Sequence, residues 1–379
     1  MTDLAVIGGG VMGLMTAYHA SARGFEVEVL ERGRIGDPMT ASFGRTRSYR
    51  SDYLDPRYAR LAREATALWN AFEAETGVRA LIRCGCMNIA SSAVTPNLAG
   101  TYAHLSHETQ RRLGIPTESL DGAELRERFP YLNADLAHVD LEGGVVDLRT
   151  VTATLQSVLA DRGVRIVEGA EVASLDDVDA RAVVVTAGHG TNGVLAGAPL
   201  QVPITRDRPV EARYYAPADP APYHSDAMPV IAYLDAGIYC HPIVDGVVDR
   251  IKIGYYHPPD LPRTETSIDG IDAFVDRCMP GLAGVAWEPV TDTDGCDYDL
   301  VADDEFVLGA VPGTSDAYVG VGWRGTGYKF APWVGRVLSE LALQGGTVYD
   351  IGRFDPARFT EGGAGDGPPV DPHTAAASG

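Results

Sequence analysis

Residues 4–32 read LAVIGGGVMGLMTAYHASARGFEVEVLER, and few folds can use that run. Leu4 to Ile7 is a short apolar run of strand type. Gly8, Gly10 and Gly13 then form G-x-G-x-x-G. Val11 to Ala22 has the apolar spacing of a helix, and Phe25 to Leu30 is a second strand that ends at Glu31. The chemistry explains the spacing. Gly8 permits a tight turn, Gly10 lets the backbone approach a pyrophosphate, and Gly13 lets the helix pack closely on the strand. Phosphates then sit at the helix N-terminus, where free N–H groups and the helix dipole favour negative charge. Glu31 can accept hydrogen bonds from ribose hydroxyls. A glycine-rich surface turn would leave Glu31 unexplained. The reading is a bound dinucleotide; Glu31 disfavours NADP and leaves FAD and NAD open.

The next segment, SFGRTRSYRSDY (42–53), places Arg45, Arg47 and Arg50 soon after the second strand. Three arginines there need a local reason in a chain whose net charge is −21. Arg45 reads as part of a solvated loop; Arg47 and Arg50 are site candidates. The same charge argues against nucleic acid or an anionic membrane as the main partner, because both repel an acidic surface. No apolar run reaches spanning length. No charged leader or cleavage site precedes the first strand, so a cytoplasmic, soluble protein is expected. The five cysteines, an odd count, do not read as a disulfide framework. Cys84 and Cys86 read as buried strand residues, with no further ligands for a metal.

A chain of 379 residues exceeds what one core usually fills. Residues 57–76 predict an amphipathic helix with Leu61, Ala65, Leu68 and Phe72 on one face, stopped by Gly77. Residues 80–90 predict a strand. Helical patches follow near 105–113 and 121–129, then a helix over 149–162 and strands near 164–168, 171–175 and 182–186. The last runs into Ala187-Gly188, small residues that suit a backbone passing close to a cofactor. Residues 203–257 predict a mostly antiparallel sheet, with turns at Pro222, Asp235-Ala236-Gly237 and Asp245-Gly246. Residues 269–279 look helical, 316–323 form a strand and 331–343 a helix, with Pro332 in its first turn and Gly345-Gly346 at its end. The tail, 361–379, has the composition of a disordered segment. The fold class expected is α/β (α+β): a Rossmann-like nucleotide domain built from 1–80, 145–202 and 291–355, and an inserted antiparallel-sheet substrate domain from 81–144 and 203–290.

Three further segments complete the pattern: GRTRSYR (44–50), RIKIGYY (250–256), and GCDYDL (295–300) followed by GWRGTGYKF (322–330). With the N-terminal fingerprint, in one order over residues 3–355, they resemble the monomeric sarcosine oxidase family of flavin-dependent amine oxidases. The fingerprint is common to many folds. The Cys-x-Tyr segment followed by G-x-G-x-[YF]-K-F is far more specific. The resemblance implies FAD, attached through a thioether at Cys296 in its context with Tyr298; a thiolate is the nucleophile such attachment needs. It implies that Lys252 lies beside the flavin and activates O2, where a cation stabilises the developing negative charge. On alternation alone, Arg250, Lys252 and Gly254 would share a solvated strand face. It further implies that Arg50 and Lys329 bind the substrate carboxylate and that Arg47 lies near the flavin face. Gly322, Gly325 and Gly327 would let their loop approach the ring, and the helix after Lys329 would aim its N-terminus at the pyrimidine side.

The pocket walls depart from the family. Phe43, Tyr256 and Thr326 stand where family members carry histidines. Tyr239 matches a pocket tyrosine, but Cys240 and His241 follow it rather than Gly and Phe. These changes put sarcosine in doubt as the substrate. The resemblance therefore implies an FAD-dependent oxidase of a carboxylate-bearing secondary amine or cyclic imino acid, giving an imine and hydrogen peroxide. A biosynthetic role is open, since relatives dehydrogenate a ring amine toward an aromatic acid. A monomer is the expected state. The rivals are a flavin dehydrogenase with another acceptor, a flavin-binding protein without turnover, and a nicotinamide-dependent dehydrogenase. The last leaves Cys296 and GTGYKF unexplained.

Overall fold

The computed structural model describes residues 2–207, 210–256, 270–290 and 298–360. Cys296 and the expected disorder of 361–379 lie outside the described residues. So does the side chain of Tyr256, whose backbone closes the strand Ile251–Tyr256.

Six strands form the first sheet, in the order Val307–Ala310, Ala317–Val321, Ala180–Val185, Thr2–Ile7, Val27–Glu31, Arg165–Glu168. All neighbours are parallel except the first two, which are antiparallel. Thr2–Ile7 lies between Ala180–Val185 and Val27–Glu31. The segments that follow these three strands therefore emerge side by side at one edge, the place where open α/β sheets bind ligands. The interior strands read as unbroken apolar runs because both faces are covered.

An eight-stranded sheet runs in the order Trp287–Pro289, Val210–Tyr215, Ile251–Tyr256, Ile238–His241, Val230–Tyr233, Cys86–Ala90, Leu136–Asp140, Thr117–Asp121. It is antiparallel except where Val230–Tyr233 meets Cys86–Ala90. Thr46–Tyr49, Gly144–Asp147 and Leu81–Ile82 form a small antiparallel sheet, and Ile204–Asp207 pairs with Tyr298–Val301. Among the described residues, no helix is long and apolar enough to cross a membrane.

Several expectations need correction. Residues 80–90 are two strands in two sheets, because Gly85 turns the chain at φ 81°; Cys84 falls in the turn and is only half-buried. Residues 171–175 are not a strand. Gly169 adopts φ 70°, and the Gly169 and Ala170 N–H groups instead bond to the carbonyls of Gly33 and Glu31. The helix Pro56–Thr76 starts at an Asp55 cap and ends at Gly77 with φ 71°. Its buried face is Tyr58, Ala59, Ala62, Ala65, Trp69 and Phe72, and Leu61 and Leu68 flank it, half-buried against the same core. The larger indole gains more by burial, and its N–H donates to the Lys329 carbonyl at 2.9 Å.

The two ends of the described chain meet through two helices. Ala331–Gln344 packs on Val11–Ser21, and a Cβ added at Gly335 would stand 2.5 Å from the Met15 carbonyl carbon. A larger residue there must push the helices apart. We expect Gly335→Val to lower stability by about 1–3 kcal/mol. Gly193→Ala, where nothing lies within 4 Å, should stay within about 0.5 kcal/mol of the parent. Denaturant unfolding of the two variants checks both.

Candidate active site

The glycine turn sits where the first sheet's strands end. Gly8 adopts φ 105°, and a Cβ on it would lie 2.5 Å from the Thr186 carbonyl oxygen. The small residues after the 180–185 strand thus allow close approach to the turn itself. A Cβ on Gly13 would lie 2.0 Å from the Gly8 oxygen, so Gly13 lets the helix fold back on the turn. Gly10 differs, since its added Cβ would meet only Ser42 Oγ, at 3.1 Å. That leaves an open approach at a helix start whose cap residue offers no side chain. The cradle fits a pyrophosphate: backbone N–H groups, no carboxylate in the first turn, and a glycine where the ligand must come near. Ser42 Oγ accepts the Val11 N–H at 2.9 Å. Buried Glu31 accepts the Gly9 N–H at 2.7 Å and the Gly33 N–H at 2.8 Å, one on each oxygen. It braces the turn, and each oxygen keeps a lone pair for a ribose hydroxyl.

Arg50 and Lys329, far apart in sequence, stand around one aromatic ring. The Arg50 Cζ lies 5.0 Å and the Lys329 Nζ 5.7 Å from the Tyr53 ring centroid. Both cations are buried or nearly so. Lys329 Nζ donates to the Thr326 carbonyl at 2.9 Å. Burial pushes its pKa well below the ordinary value, and the Arg50 charge pushes it further. Arg50 pairs with buried Asp52, whose other oxygen accepts from Asn88 Nδ2 at 2.8 Å. Asp52 had no place in the sequence reading. An acid two residues after a clamp arginine was the available signal.

Arg47 holds its own loop, donating to the carbonyls of Thr46 at 3.1 Å and Phe43 at 2.9 Å. Arg45 is half-buried rather than in a solvated loop, with its Cζ 5.9 Å from the Tyr214 ring centroid. It lines a groove of about 910 Å³ with Arg149, Tyr214 and Arg250 that includes neither Arg50 nor Lys329. Lys252 is 1% exposed, which excludes the solvated face. It sits in the middle of the sheet, opposite Tyr214 on one neighbouring strand and His241 on the other. Tyr239 lies near it, with Lys252 Nζ 6.0 Å from the ring centroid.

The glycines after residue 321 also pack closely within the protein. A Cβ on Gly325 would lie 2.4 Å from the Tyr298 ring, and one on Gly327 2.4 Å from the Trp323 Cβ. These glycines let the loop close on the Tyr298 ring of the neighbouring strand and on its own Trp323. Asp299 fastens it: buried, it accepts the Gly322 N–H at 2.8 Å and the Trp323 N–H at 3.0 Å. The loop before Lys329 is thereby tied to the strand that follows Cys296. The spacing CDYDL contained that signal, since Asp299 is the second acid of the run.

Comparison with known proteins adds the following. Residues 3–341 match the family described as FAD dependent oxidoreductase (DAO). The peroxisomal sarcosine oxidase of Mus musculus is 28% identical, over 94% of this chain and 96% of that protein. The N-methyl-L-tryptophan oxidase of Yersinia pestis is 26% identical, over 94% and 99%. The crystal structure of L-proline dehydrogenase from P. horikoshii shares the fold, with a TM-score of 0.76 and 21% identity over 94% and 97% of the two chains.

Asp299 makes the stability of this loop pH-dependent. Burial raises its pKa to about 6, so between about pH 4 and 6 the folded chain holds a proton that the unfolded chain has lost. This group therefore adds stability on acidification, and the increment is lost as pH rises through 6. From pH 7 to pH 5 it amounts to about 1 kcal/mol. Asp299→Asn should lack that increment when unfolding is measured at both pH values.

Proposed function

Because the chain belongs to the FAD dependent oxidoreductase family, as a sarcosine-oxidase-like amine oxidase, we propose that it oxidises a carboxylate-bearing secondary amine or cyclic imino acid to an imine, with O2 as acceptor and hydrogen peroxide as second product. The observation that carries this is the pair of cations, Arg50 and Lys329, around the Tyr53 ring. A cofactor-only module has no use for two such charges. Together they match a carboxylate, the arginine as a fork and the lysine as a point charge.

The residues divide the work. Gly8, Gly10, Gly13 and Glu31 hold the dinucleotide portion, with Gly325 and Gly327 shaping the loop on the far side. FAD held there, with Cys296 as its attachment point, would supply the two-electron acceptor for the hydride equivalent. Arg50 and Lys329 fix the substrate carboxylate, which sets the C–H beside nitrogen in one orientation and removes much of the entropic barrier. The family resemblance assigns Tyr239 and Tyr256 to the substrate pocket. Lys252, with Arg47, supplies positive charge where oxygen takes on negative charge. Asp52 serves Arg50 and Asn88, and the substrate reacts as its neutral form.

An acceptor other than O2 is the second reading. A relative in fold is called a dehydrogenase; buried Lys252 favours O2.

Acid precipitation comes first. Yellow colour should stay in the pellet of the wild type and pass to the supernatant in Cys296→Ala. A panel of amine acids should then give peroxide. Arg50→Lys, which loses the fork, should raise KM by about 10–100-fold, and Lys252→Met should lower kcat/KM for O2 by about 10²–10³-fold. Wild-type colour in the supernatant would reduce Cys296 to an ordinary residue. Turnover without peroxide would establish the other acceptor. Folded protein without flavin would sink the reading.

A further inference from the structure

His241 stands where the resembling family carries an apolar ring, and the proposed reaction leaves it without a task. It is 2% exposed and ends the strand Ile238–His241. Its Nδ1 lies 2.9 Å from Thr46 Oγ1, a contact between the eight-stranded sheet and the small sheet that carries Arg47. Its Nε2 is buried and has no hydrogen-bond partner among the described residues. A buried polar nitrogen left unpaired is costly, and a plain space-filling role would be met better by an apolar ring.

The neighbours decide what this nitrogen can do. His241 and Lys252 are directly opposed on adjacent antiparallel strands, so their side chains leave the same face of the sheet. Lys252 faces Tyr214 from its other neighbouring strand. Tyr239, two residues before His241, presents its ring 5.3 Å from the imidazole. Arg47 approaches from the small sheet. Burial, then Lys252, then Arg47, hold the imidazole neutral by lowering its pKa well below the ordinary value. Two cations beside a neutral imidazole also select its tautomer. The proton belongs on Nδ1, donated to Thr46 Oγ1, and the lone pair on Nε2, toward the positive field.

We propose that His241 is a positioning residue for Lys252, accepting at Nε2 a water-bridged hydrogen bond from the Lys252 ammonium and holding that charge in place for the oxygen step. A single bridging water suits two buried polar groups that lack a direct bond. The hydrogen bond stabilises the charged lysine, so His241 raises the pKa of Lys252 and widens the pH range over which it is a cation. The inference rests on the oxidase reading, because it gives Lys252 a flavin to serve.

The test uses the oxidised holoprotein without substrate. Flavin absorbance is titrated with pH in wild type, Lys252→Met, His241→Phe and His241→Gln. The step present in wild type and missing in Lys252→Met belongs to Lys252. It should fall by about one pH unit in His241→Phe, which keeps the ring and removes the nitrogen, and return most of the way in His241→Gln, which restores an acceptor. His241→Leu replaces the phenylalanine variant if that one does not fold or hold flavin. The same step at the same pH in all His241 variants overturns the proposal. So does identical titration of wild type and Lys252→Met, which would place Lys252 away from the flavin. Peroxide formation from substrate is read separately, so failure of the oxidase reading is distinct from failure at His241.

Discussion

The contact of the helix Ala331–Gln344 with the helix Val11–Ser21 is the constraint on which the rest of the site depends. Gly335 lies so close to the Met15 backbone that no side chain fits between. The second helix begins two residues after Lys329, and the first begins at the glycine cradle. One rigid contact thus fixes the end that carries Lys329 relative to the glycine turn. The hydrogen bond from Trp69 to the Lys329 carbonyl then fixes the lysine from a third helix. A reacting carbon must be placed to within fractions of an ångström, and loops alone would not hold two such ends in register.

Charge in the clamp obeys a second constraint. Two buried cations with no counterion would be very costly. Asp52 offsets one, so with Lys329 protonated the proposed clamp of Arg50 and Lys329 carries a single net positive charge that a monocarboxylate would complete. A dicarboxylate would leave one negative charge unmatched and would have to find another partner. Lys329, desolvated and pressed by Arg50, has the most to gain when the substrate's carboxylate arrives.

Local pattern carried most of the fold. The fingerprint, the Gly77 end of the long helix, the Gly345 stop and the 203–256 strands all follow from spacing and turn chemistry. The family resemblance, rather than the pattern, singled out Lys252 and Lys329, since alternation alone had put Lys252 on a solvated face. The strands Thr117–Asp121 and Leu136–Asp140 were not legible. Their alternation is blurred because the covering helix Tyr102–Arg112 buries Ser106, His107, Thr109 and Gln110, with Ala103 as its one buried apolar side chain. His138 on one strand and His107 on the helix stack at 3.9 Å. Hydrophobic periodicity cannot report a polar layer of this kind. Asp52 went unread although its partner Arg50 lies two residues away; only its second contact, Asn88, comes from another part of the chain.

The same physics gives meaning to the acidic composition. A carboxylate accepts several backbone N–H groups at once, which neither a hydroxyl nor an amide can match. Glu31 ties Gly9 to Gly33. Asp299 ties Gly322 and Trp323 to its own strand. Asp140 takes the Ser51 N–H and hydroxyl at 2.7 and 2.6 Å, and Glu73 takes the Ala80 and Leu81 N–H groups at 2.7 and 2.6 Å. These four acids anchor the glycine turn, the loop before Lys329, the residue after Arg50 and the entry to the small sheet. Irregular backbone beside a ligand needs such anchors, because it has no ladder of its own to satisfy its N–H groups. Part of the acid excess is therefore turned inward, where it makes the loops around two buried cations rigid enough to act as walls.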